Sequence, residues 1–371
     1  MKILYLANIR LPTEKAHGAQ IMHMCSALAG AGADVELVVP QRKNPIPDAP
    51  FDYYRLQHTF RIRTVWSLDS IAADLGYWVG LLTFSLAALQ CALKEQADMY
   101  YSRDEFVLYL LSFFRSNIVW ESHTGRYNFI VRRVLKRSRC IVVLTEGSRD
   151  FYIAHGAPAR CVLVAHDGVD VSTFEQVETR EESRARLGIS PEKKIALYIG
   201  RLDGWKGSNT LCEAARLLPH YIEVVVIGGE QSEVLELRKK YSEIHFLGFR
   251  PYREIANNLA AADVLILPNT GRDQISARFT SPLKLFAYMA SGKPIVASDL
   301  PSIREVLDGG SAYFVPADDP RALAQGIVTS LEDPAAPRRA ARAREIVASY
   351  TWSKRARKIL HALQNDGSLT R

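Results

Sequence analysis

The sequence has few cysteines and lacks the residue patterns of several protein classes. Its 371 residues contain five cysteines, an odd number, and no C-x-x-C pair. The five are Cys25, Cys91, Cys140, Cys161 and Cys212. This scatter argues against a disulfide framework and favours a reducing compartment, so we expect a cytoplasmic protein. Zinc-finger spacings, RNP-type aromatic motifs and homeodomain-like patterns are absent, so we expect no nucleic-acid partner.

Long apolar runs are scarce as well. One uncharged stretch, Leu75 to Leu93, is just long enough to cross a bilayer at about 1.5 Å per residue. Polar and glycine residues dilute its hydropathy, and it lies between two strand candidates, as a crossover helix does. We predict a core helix there; membrane association and a partner interface are the alternatives. The apolar run in Met1 to Ile9 is too short for a signal peptide and predicts a first strand.

Acidic residues are fewer than basic ones. The chain has 47 Lys and Arg against 40 Asp and Glu, a net charge of +7, and part of the excess lies near the C-terminus. The basic residues there are Arg338, Arg339, Arg342, Arg344, Lys354, Arg355, Arg357 and Lys358. A basic tail helix suits an anionic ligand or a lipid headgroup surface, and ordinary solvated helix faces explain the same residues at least as well.

Short apolar runs alternate with helical patterns along the chain, and a second series of them begins near Ile195. This alternation is typical of parallel sheets covered by helices on both faces. We predict an α/β protein with two doubly wound domains that face each other across a cleft. The first domain is residues 1–175, with a C-terminal helix at about 350–371 packed back on it, and the second is residues 176–349. The polar stretch from Phe174 to Lys194 is the predicted linker.

Residues 280 to 299 predict a helix that begins at an anion-binding site and is followed by a buried strand. Ser281 is a good N-cap and Pro282 suits the first helical position. The backbone N–H groups of Leu283 and Lys284 would then point out of the helix end. The helix dipole and the Lys284 ammonium would both favour a phosphate there. A well-capped core helix without a ligand is the alternative.

Three further segments follow predicted strands, which is where doubly wound sheets bind ligands. Gly200 to Gly207 is a glycine-rich turn in which Arg201 and Lys206 suit a diphosphate, unless they form surface ion pairs. Gly18 leaves room for a phosphate or sugar at a helix start, or is a plain loop glycine. His123 follows another strand, where a neutral imidazole can hydrogen-bond a hydroxyl, although a lone histidine is more often structural.

Several motifs resemble those of a known enzyme family. They are Gly200-Arg-Leu-x-x-Trp-Lys-Gly, Leu267-Pro-Asn, Ser281-Pro-Leu-Lys, Tyr288-Met-Ala-x-Gly-Lys-Pro-Ile-Val-Ala-Ser-Asp and Asp167-Gly-Val-Asp. The chain is similar in these motifs to the family 4 retaining glycosyltransferases of GT-B architecture, most strongly in its C-terminal half. The resemblance implies two Rossmann-like domains and a nucleotide-sugar donor held mostly by the second, with no further cofactor.

The resemblance also implies roles for individual residues. The residues implied for the donor diphosphate are Arg201, Lys206, Ser281, Pro282, Leu283 and Lys284 of the second domain and Gly18 of the first. Arg250 is implied to lie beside the base, and His123 is implied to contact the transferred sugar. Retention of configuration is implied too, with the leaving phosphate helping to deprotonate the acceptor. The chain has no Asp-x-Asp pair, which argues against a metal-bridged diphosphate, so we expect no metal ion.

One departure from the family pattern concerns Phe279 and Ala287, where the family has paired glutamates. The later glutamate normally binds the ribose hydroxyls. Losing a charged hydrogen bond of that kind costs roughly 1.5 to 3 kcal/mol, or about ten- to a hundred-fold in donor affinity. We therefore expect a weakened or inactivated donor site, whether Ala287 is natural or engineered.

The sequence thus predicts a retaining hexosyltransferase that uses a UDP- or GDP-linked sugar and a saccharide or lipid-linked acceptor, as in polysaccharide biosynthesis. A catalytically silent nucleotide-sugar-binding protein and a nucleotide-sugar epimerase of the same architecture are the alternatives. Tyr53, Tyr54, Phe60 and Trp66 interleave with arginines. They predict a surface for a lipid-linked acceptor at the inner face of a membrane, or else ordinary strand faces.

Overall fold

A computed structural model describes residues 1–68, 73–202 and 204–365. The chain divides into two compact units. The N-terminal unit comprises Met1–His166 together with Trp352–Arg371, and the C-terminal unit comprises Asp167–Thr351. Each unit buries its own hydrophobic core.

The N-terminal unit contains a seven-stranded parallel sheet. Its strands are β1 (Lys2–Leu6), β2 (Asp34–Pro40), β3 (Arg61–Val65), β4 (Met99–Ser102), β5 (Ile118–Ser122), β6 (Ser138–Val143) and β7 (Val162–Val164). Its first helices are α1 (Ala16–Gly30), α2 (Pro50–Tyr54), α3 (Ala73–Lys94), α4 (Glu105–Leu111), α5 (Phe129–Arg137) and α6 (Glu146–Ala154). The strand order β3-β2-β1-β4-β5-β6-β7 reverses at β1, as in a doubly wound sheet.

The C-terminal unit repeats this architecture with a six-stranded parallel sheet of order β10-β9-β8-β11-β12-β13. Its strands are β8 (Lys194–Ile199), β9 (Ile222–Ile227), β10 (Ile244–Gly248), β11 (Val264–Leu267), β12 (Ile295–Ser298) and β13 (Tyr313–Val315). Its helices are α7 (Arg180–Leu187), α8 (Ser208–Ala215), α9 (Gln231–Lys240), α10 (Ile255–Ala260), α11 (Leu283–Ser291), α12 (Pro301–Arg304), α13 (Pro320–Glu332) and α14 (Ala336–Val347). The chain then forms α15 (Trp352–Asn365), which packs on α1 in the N-terminal unit.

The predicted boundary and linker differ from the structure. The first unit ends at His166, before residue 175, because the backbone that follows bonds within the second unit. Val169, for example, donates its N–H to the carbonyl of Tyr350 at 3.0 Å. The predicted linker contains α7, and Arg184 of this helix is buried, with Nη2 2.6 Å from Oδ2 of Asp263. The polar residues of this stretch therefore belong to a capped helix that forms one buried ion pair, and not to a linker.

Helix α3 is buried on one side only. Phe84, Ala88 and Ala92 pack into the core under the sheet, as the sequence predicts for this segment, while Leu82 and Leu86 are exposed. The side chains at residues 71–77 lie outside the described part of the chain. No helix in the described part of the chain has the length and hydropathy needed to cross a bilayer.

The aromatic residues predicted to meet a lipid-linked acceptor do not form a surface. Tyr53, Tyr54 and Phe60 are buried, and Trp66 alone of the four is exposed. The Tyr54 hydroxyl lies 2.9 Å from the backbone nitrogen of Thr13, which ties α2 to the loop before α1. Three of the four aromatic rings therefore pack inside the N-terminal unit, and the prediction that the four form an acceptor surface is wrong.

Candidate functional site

The turn after β8 lies where the strand order of the C-terminal sheet reverses, since β9 and β11 flank β8. Doubly wound sheets bind ligands at the carboxyl ends of strands at such a point. Gly200 directly follows β8 with φ of +150°, and a Cβ atom there would lie 2.7 Å from Nζ of Lys284. A side chain at position 200 would therefore collide with the ammonium that α11 brings to this turn.

Tyr198 positions both the turn and the ammonium. The Nζ atom of Lys284 lies 3.8 Å from the centroid of the Tyr198 ring, within range of a cation–π contact. The Tyr198 hydroxyl donates a hydrogen bond of 2.7 Å to the carbonyl of Arg201. The structure thus brings the backbone of Arg201 and the side chain of Lys284 together, while the Arg201 side chain is exposed.

Lys206 lies on a turn that is fixed against the loop after β11. Gly207 has φ of +76°, and a Cβ atom there would lie 1.6 Å from the carbonyl oxygen of Pro268. Ser208 begins α8 and donates from Oγ to the carbonyl of Leu202 at 2.5 Å. The Gly200 and Leu267 motifs of the sequence are therefore neighbours in space. Asp203 of the first motif lies outside the described residues.

The helix start at α11 differs in detail from the prediction. Pro282, not Ser281, is the N-cap, and no side chain caps the helix. The Ser281 hydroxyl instead accepts a hydrogen bond from the backbone N–H of Asp167 at 3.2 Å. Leu283 and Lys284 still supply the first N–H groups of the helix, the position at which helices bind anions.

The two positions that lack the family glutamates are both buried. Ala287 is 1 % exposed and packs in the core of the C-terminal unit, and Phe279 ends a short π-helix. Arg250 is exposed two residues after β10 and lines a surface cavity of about 440 Å³ together with Arg186 and Glu254. Its predicted place beside the base stays a prediction.

A buried carboxylate organises the corresponding edge of the N-terminal sheet. Glu121 is the fourth residue of β5, and its side chain is fully buried. The donors to this carboxylate are Gln20 Nε2 at 2.7 Å, His123 Nε2 at 2.7 Å, Arg355 Nη2 at 3.0 Å and the Tyr101 hydroxyl. Helices α1 and α15 and strands β4 and β5 thus all contribute to this cluster.

The cluster sets the charge states of Glu121 and His123. Burial by itself raises the pKa of Glu121, but the Arg355 guanidinium and the His123 hydrogen bond outweigh burial and hold the pKa well below its ordinary value. Burial, aided by the nearby Arg103 charge, lowers the pKa of His123 to about 4. His123 is therefore neutral at pH 7. Because Nε2 faces a carboxylate, it carries the proton, and Nδ1 is left as an acceptor.

His123 lines a cavity of about 210 Å³ at the carboxyl ends of β1, β4 and β5. The polar side chains around this cavity are Asn8, His17, Arg103, Asp104, Glu105, Glu121, Ser122, His123 and Thr124. Arg103 is held by a 2.8 Å hydrogen bond from Nη1 to Oε1 of Gln20. A neutral imidazole acceptor beside a fixed guanidinium can bind hydroxyl groups of a polar ligand. Within the described parts of the chain, no group of three or more His, Cys, Asp or Glu is placed to hold a metal ion.

Gly18 lies in the first turn of α1 and is covered by protein. A Cβ atom there would lie 2.4 Å from both Cγ2 of Thr13 and the hydroxyl oxygen of Tyr54. Its N–H donates to the carbonyl of Lys15 at 3.0 Å. This close packing explains the glycine without a ligand, so its role at a diphosphate stays a prediction.

Sequence reasoning missed the partners of His123. The sequence indicates that Arg355 belongs to a basic tail helix that either binds an anionic partner or is solvated, yet Arg355 is buried against Glu121. The signal was present, because Trp352, Arg355 and Ile359 fall on one stripe of α15 at helical spacing. For Glu121, the signal in the sequence is a single carboxylate at the end of an apolar strand.

Solved structures with this architecture identify the fold. The crystal structure of Anabaena HepE in complex with UDP and glucose matches with a TM-score of 0.76 and 21% identity, covering 98% of this chain and 99% of that one. Sucrose-phosphate synthase from Thermosynechococcus elongatus matches with a TM-score of 0.79 and 18% identity over 98% of each chain. Together with the two parallel sheets, these matches confirm the predicted α/β GT-B fold.

The sequence comparisons concern mainly the C-terminal unit. Residues 193–333 match the model of a family described as glycosyl transferases group 1, which includes the Gly200 turn and α11. A D-inositol 3-phosphate glycosyltransferase of Xylanimonas cellulosilytica is 28% identical over 245 residues, 62% of this chain and 57% of the relative. A phosphatidyl-myo-inositol mannosyltransferase of Mycobacterium tuberculosis is 31% identical over 211 residues, 53% of this chain and 52% of the relative. The chain thus spans about half the length of the curated relatives it matches.

Proposed function

We propose that the chain is a retaining glycosyltransferase that moves a hexose from a nucleotide-diphosphate sugar to a saccharide or lipid-linked acceptor without a metal ion. The observation that carries this proposal is the contact of Lys284 with the turn after β8, inside the stretch that matches the group 1 glycosyl transferases. The UDP and glucose in the HepE structure and the names of the relatives support sugar transfer. None of these names favours epimerisation.

The donor diphosphate binds Arg201, Lys206, Lys284 and the first N–H groups of α11 in this proposal. Cleavage of the bond between the sugar and the diphosphate places negative charge on the leaving oxygens. Cations and backbone dipoles that are already in position stabilise that charge with little reorganisation. Lys284 meets this requirement because the Tyr198 ring holds its ammonium beside Gly200.

The remaining steps use the leaving group and a neutral histidine. The bond from the anomeric carbon to the diphosphate breaks, and the acceptor oxygen bonds to that carbon from the same face. The proton of the acceptor hydroxyl passes to the leaving phosphate, so no protein nucleophile is needed. His123 contacts the transferred sugar and accepts a hydrogen bond from one of its hydroxyls through Nδ1. Gly18 approaches the diphosphate, and Arg250 lies beside the base.

The acceptor and the location are part of the same proposal. Two relatives are named for inositol acceptors, so an inositol phosphate belongs in an acceptor screen beside saccharides and lipid-linked saccharides. The cysteine pattern of the sequence supports a cytoplasmic location. A lipid-linked acceptor would require the protein to work at the inner face of a membrane.

The test is a donor screen followed by turnover measurements. Calorimetric titration with UDP- and GDP-sugars identifies the donor, and release of the nucleotide in the presence of each acceptor measures kcat. We expect Lys206→Ala to lower kcat roughly a hundred-fold, because it removes a cation that stabilises the leaving group. The matched control is Lys239→Ala, an exposed lysine on α9 of the same unit. Unchanged turnover in Lys206→Ala would remove this lysine from the mechanism, and absence of nucleotide-sugar binding would refute the proposal itself.

A further inference from the structure

The loop after β11 packs directly against the turn that carries Lys206. We call residues 268–272, which follow this strand, the β11 loop. A Cβ atom at position 207 would lie 1.6 Å from the carbonyl oxygen of Pro268 and 3.3 Å from the backbone nitrogen of Asn269. The turn and the β11 loop are therefore in backbone contact. Because protein interiors are closely packed, a shift of the loop changes the space that the turn occupies.

The side chains of the β11 loop hold it only weakly. Asn269 is 1% exposed and donates from Nδ2 to the hydroxyl of Ser276 over a long distance of 3.4 Å. Among the described residues, its Oδ1 atom has no hydrogen-bond partner. The Thr270 hydroxyl accepts from the N–H of Arg272 at 3.2 Å, which is a bond within the loop. None of these side-chain contacts connects the loop to a part of the chain beyond residue 276.

Asp318 connects the β11 loop to a distant part of the chain. It lies three residues after β13. Its Oδ1 accepts a hydrogen bond from the hydroxyl of Thr270, and its Oδ2 accepts one from the N–H of Gly271 at 2.9 Å. The carboxylate is 18% exposed, so water competes little for these bonds. Strand β12 lies between β11 and β13, so one side chain links the carboxyl ends of two strands that are not neighbours.

The backbone of Asp318 adopts a conformation that is uncommon for a residue with a side chain. Its φ is +60°, in the left-handed region that favours glycine. An aspartate there costs conformational free energy that a glycine would not. The next residue, Asp319, caps α13 by accepting from the N–H groups of Arg321 and Ala322 at 2.9 and 3.0 Å. Capping is thus provided without Asp318, whose carboxylate serves the β11 loop.

We propose that Asp318 is a positioning residue for Lys206. Its carboxylate fixes the β11 loop, and the loop fixes Gly207. The neighbouring Lys206 is thereby kept where negative charge develops on the leaving diphosphate. A cation that is displaced by about 1 Å stabilises this charge much less, because the effect depends on positioning before the reaction. The inference rests on the proposed function, since Asp318 acts on sugar transfer through Lys206.

Replacement of Asp318 by glycine tests this role without adding backbone strain. Glycine adopts a φ of +60° freely, so Asp318→Gly removes the carboxylate alone. We expect kcat to fall about tenfold and the donor KM to change less than about twofold, because Lys206 stabilises charge that develops during the reaction. Asp318→Asn keeps one side-chain oxygen for the N–H of Gly271, and its kcat should stay within about threefold of that of the unaltered protein.

The matched control is Asp308→Gly, in the loop before β13. Asp308 also accepts from a backbone N–H, that of Gly310 at 3.0 Å, and from a hydroxyl, that of Ser311 at 2.9 Å. It lies at the opposite end of β13 from Asp318. Asp308→Gly should leave kcat unchanged even if it lowers the melting temperature. Equal kcat values in Asp318→Gly and this control would overturn the proposal.

A double variant shows whether the effect passes through Lys206. In Lys206→Ala the cation is already absent, so the addition of Asp318→Gly should lower kcat no further. Losses that multiply in the double variant would overturn the proposal. If circular dichroism shows that Asp318→Gly is unfolded, Thr270→Val takes its place. This variant removes one of the two bonds to Asp318 and should lower kcat about threefold.

Amide hydrogen exchange tests the positioning without a substrate. We expect Asp318→Gly to speed exchange in residues 204–211 about tenfold, and Asp308→Gly to leave it unchanged. Equal exchange in Asp318→Gly and the unaltered protein would overturn the proposal. Faster exchange in Asp318→Gly, together with no sugar transfer by the unaltered protein, would refute the proposed function and still support the positioning of the turn by Asp318.

Discussion

At position 287 the structure holds an alanine that is buried beside Leu285 and Phe286 on α11. The family that the sequence resembles has a glutamate at this position, and the resemblance implies that it binds the donor ribose. We expect Ala287→Glu to tighten nucleotide-sugar binding about ten- to a hundred-fold, because it restores a charged hydrogen bond. Calorimetric titration with UDP-glucose and GDP-mannose measures this change.

The control for a buried charge on the same helix is Ala290→Glu, since Ala290 is also buried in the core. It should lower the melting temperature without tightening nucleotide-sugar binding. If Ala287→Glu behaves in the same way as this control, position 287 does not face the donor.

At the scale of single elements, α15 depends on one buried ion pair. Arg355 and Glu121 have side chains that are 2% and 0% exposed, and their atoms approach to 3.0 Å. We expect Arg355→Ala to cost about 3 to 5 kcal/mol in the free energy of unfolding, because it leaves a buried carboxylate without its cation. Urea unfolding followed by tryptophan fluorescence measures the loss.

Arg357→Ala is the matched control, because Arg357 lies on the same helix and is exposed. It should change the free energy of unfolding by less than about 1 kcal/mol. Similar losses in both variants would mean that Arg355 acts as an ordinary surface residue.

The turn after β8 offers a second test at this scale. An alanine at position 207 would have to adopt a φ of +76°, and its Cβ atom would lie 1.6 Å from the carbonyl oxygen of Pro268. A Cβ atom at Gly204 would have no heavy atom within 4 Å. We expect Gly207→Ala to destabilise the C-terminal unit by more than about 1 kcal/mol and to raise the donor KM. Gly204→Ala should leave both nearly unchanged. Equal melting temperatures and KM values for the two variants would contradict this account of the turn.

For the whole molecule, two units with separate cores predict that unfolding is not a single two-state transition. His123 and His166 both lie in the N-terminal unit, and burial lowers the pKa of each to about 4. Unfolding exposes both rings, whose pKa values return to about 6.5. Between about pH 6.5 and 4 the unfolded chain therefore binds more protons, so the stability of this unit falls as the pH falls.

Differential scanning calorimetry at pH 7 and pH 4.5 should show this loss in the transition of the N-terminal unit. The double variant His123→Asn/His166→Asn should reduce the dependence on pH, whatever its own stability at pH 7. A nucleotide sugar should raise the transition of the C-terminal unit in proportion to the logarithm of its concentration. A pH dependence that is identical in the double variant would show that other groups are responsible.

The sequence predicted most strands because buried parallel strands are continuous apolar runs. The edge strands β3 and β7 of the N-terminal sheet give a weaker signal, because β3 is rich in arginine and β7 is only three residues long. At the candidate site, Arg201, Lys206 and Lys284 could be predicted because each lies in a short motif. Glu121 and Arg355 are 234 residues apart, so no spacing rule connects them.

The sequence by itself determined the two α/β units, the GT-B fold and the glycine-rich turn, because these depend on local periodicity and on backbone conformations that neighbouring residues set. Tertiary structure alone decided that Ser281 binds the Asp167 backbone, that Arg355 is buried and that α3 keeps an exposed apolar side. Each of these outcomes depends on which residues, distant in sequence, pack next to the side chain in question. Those neighbours are set only when the whole unit folds.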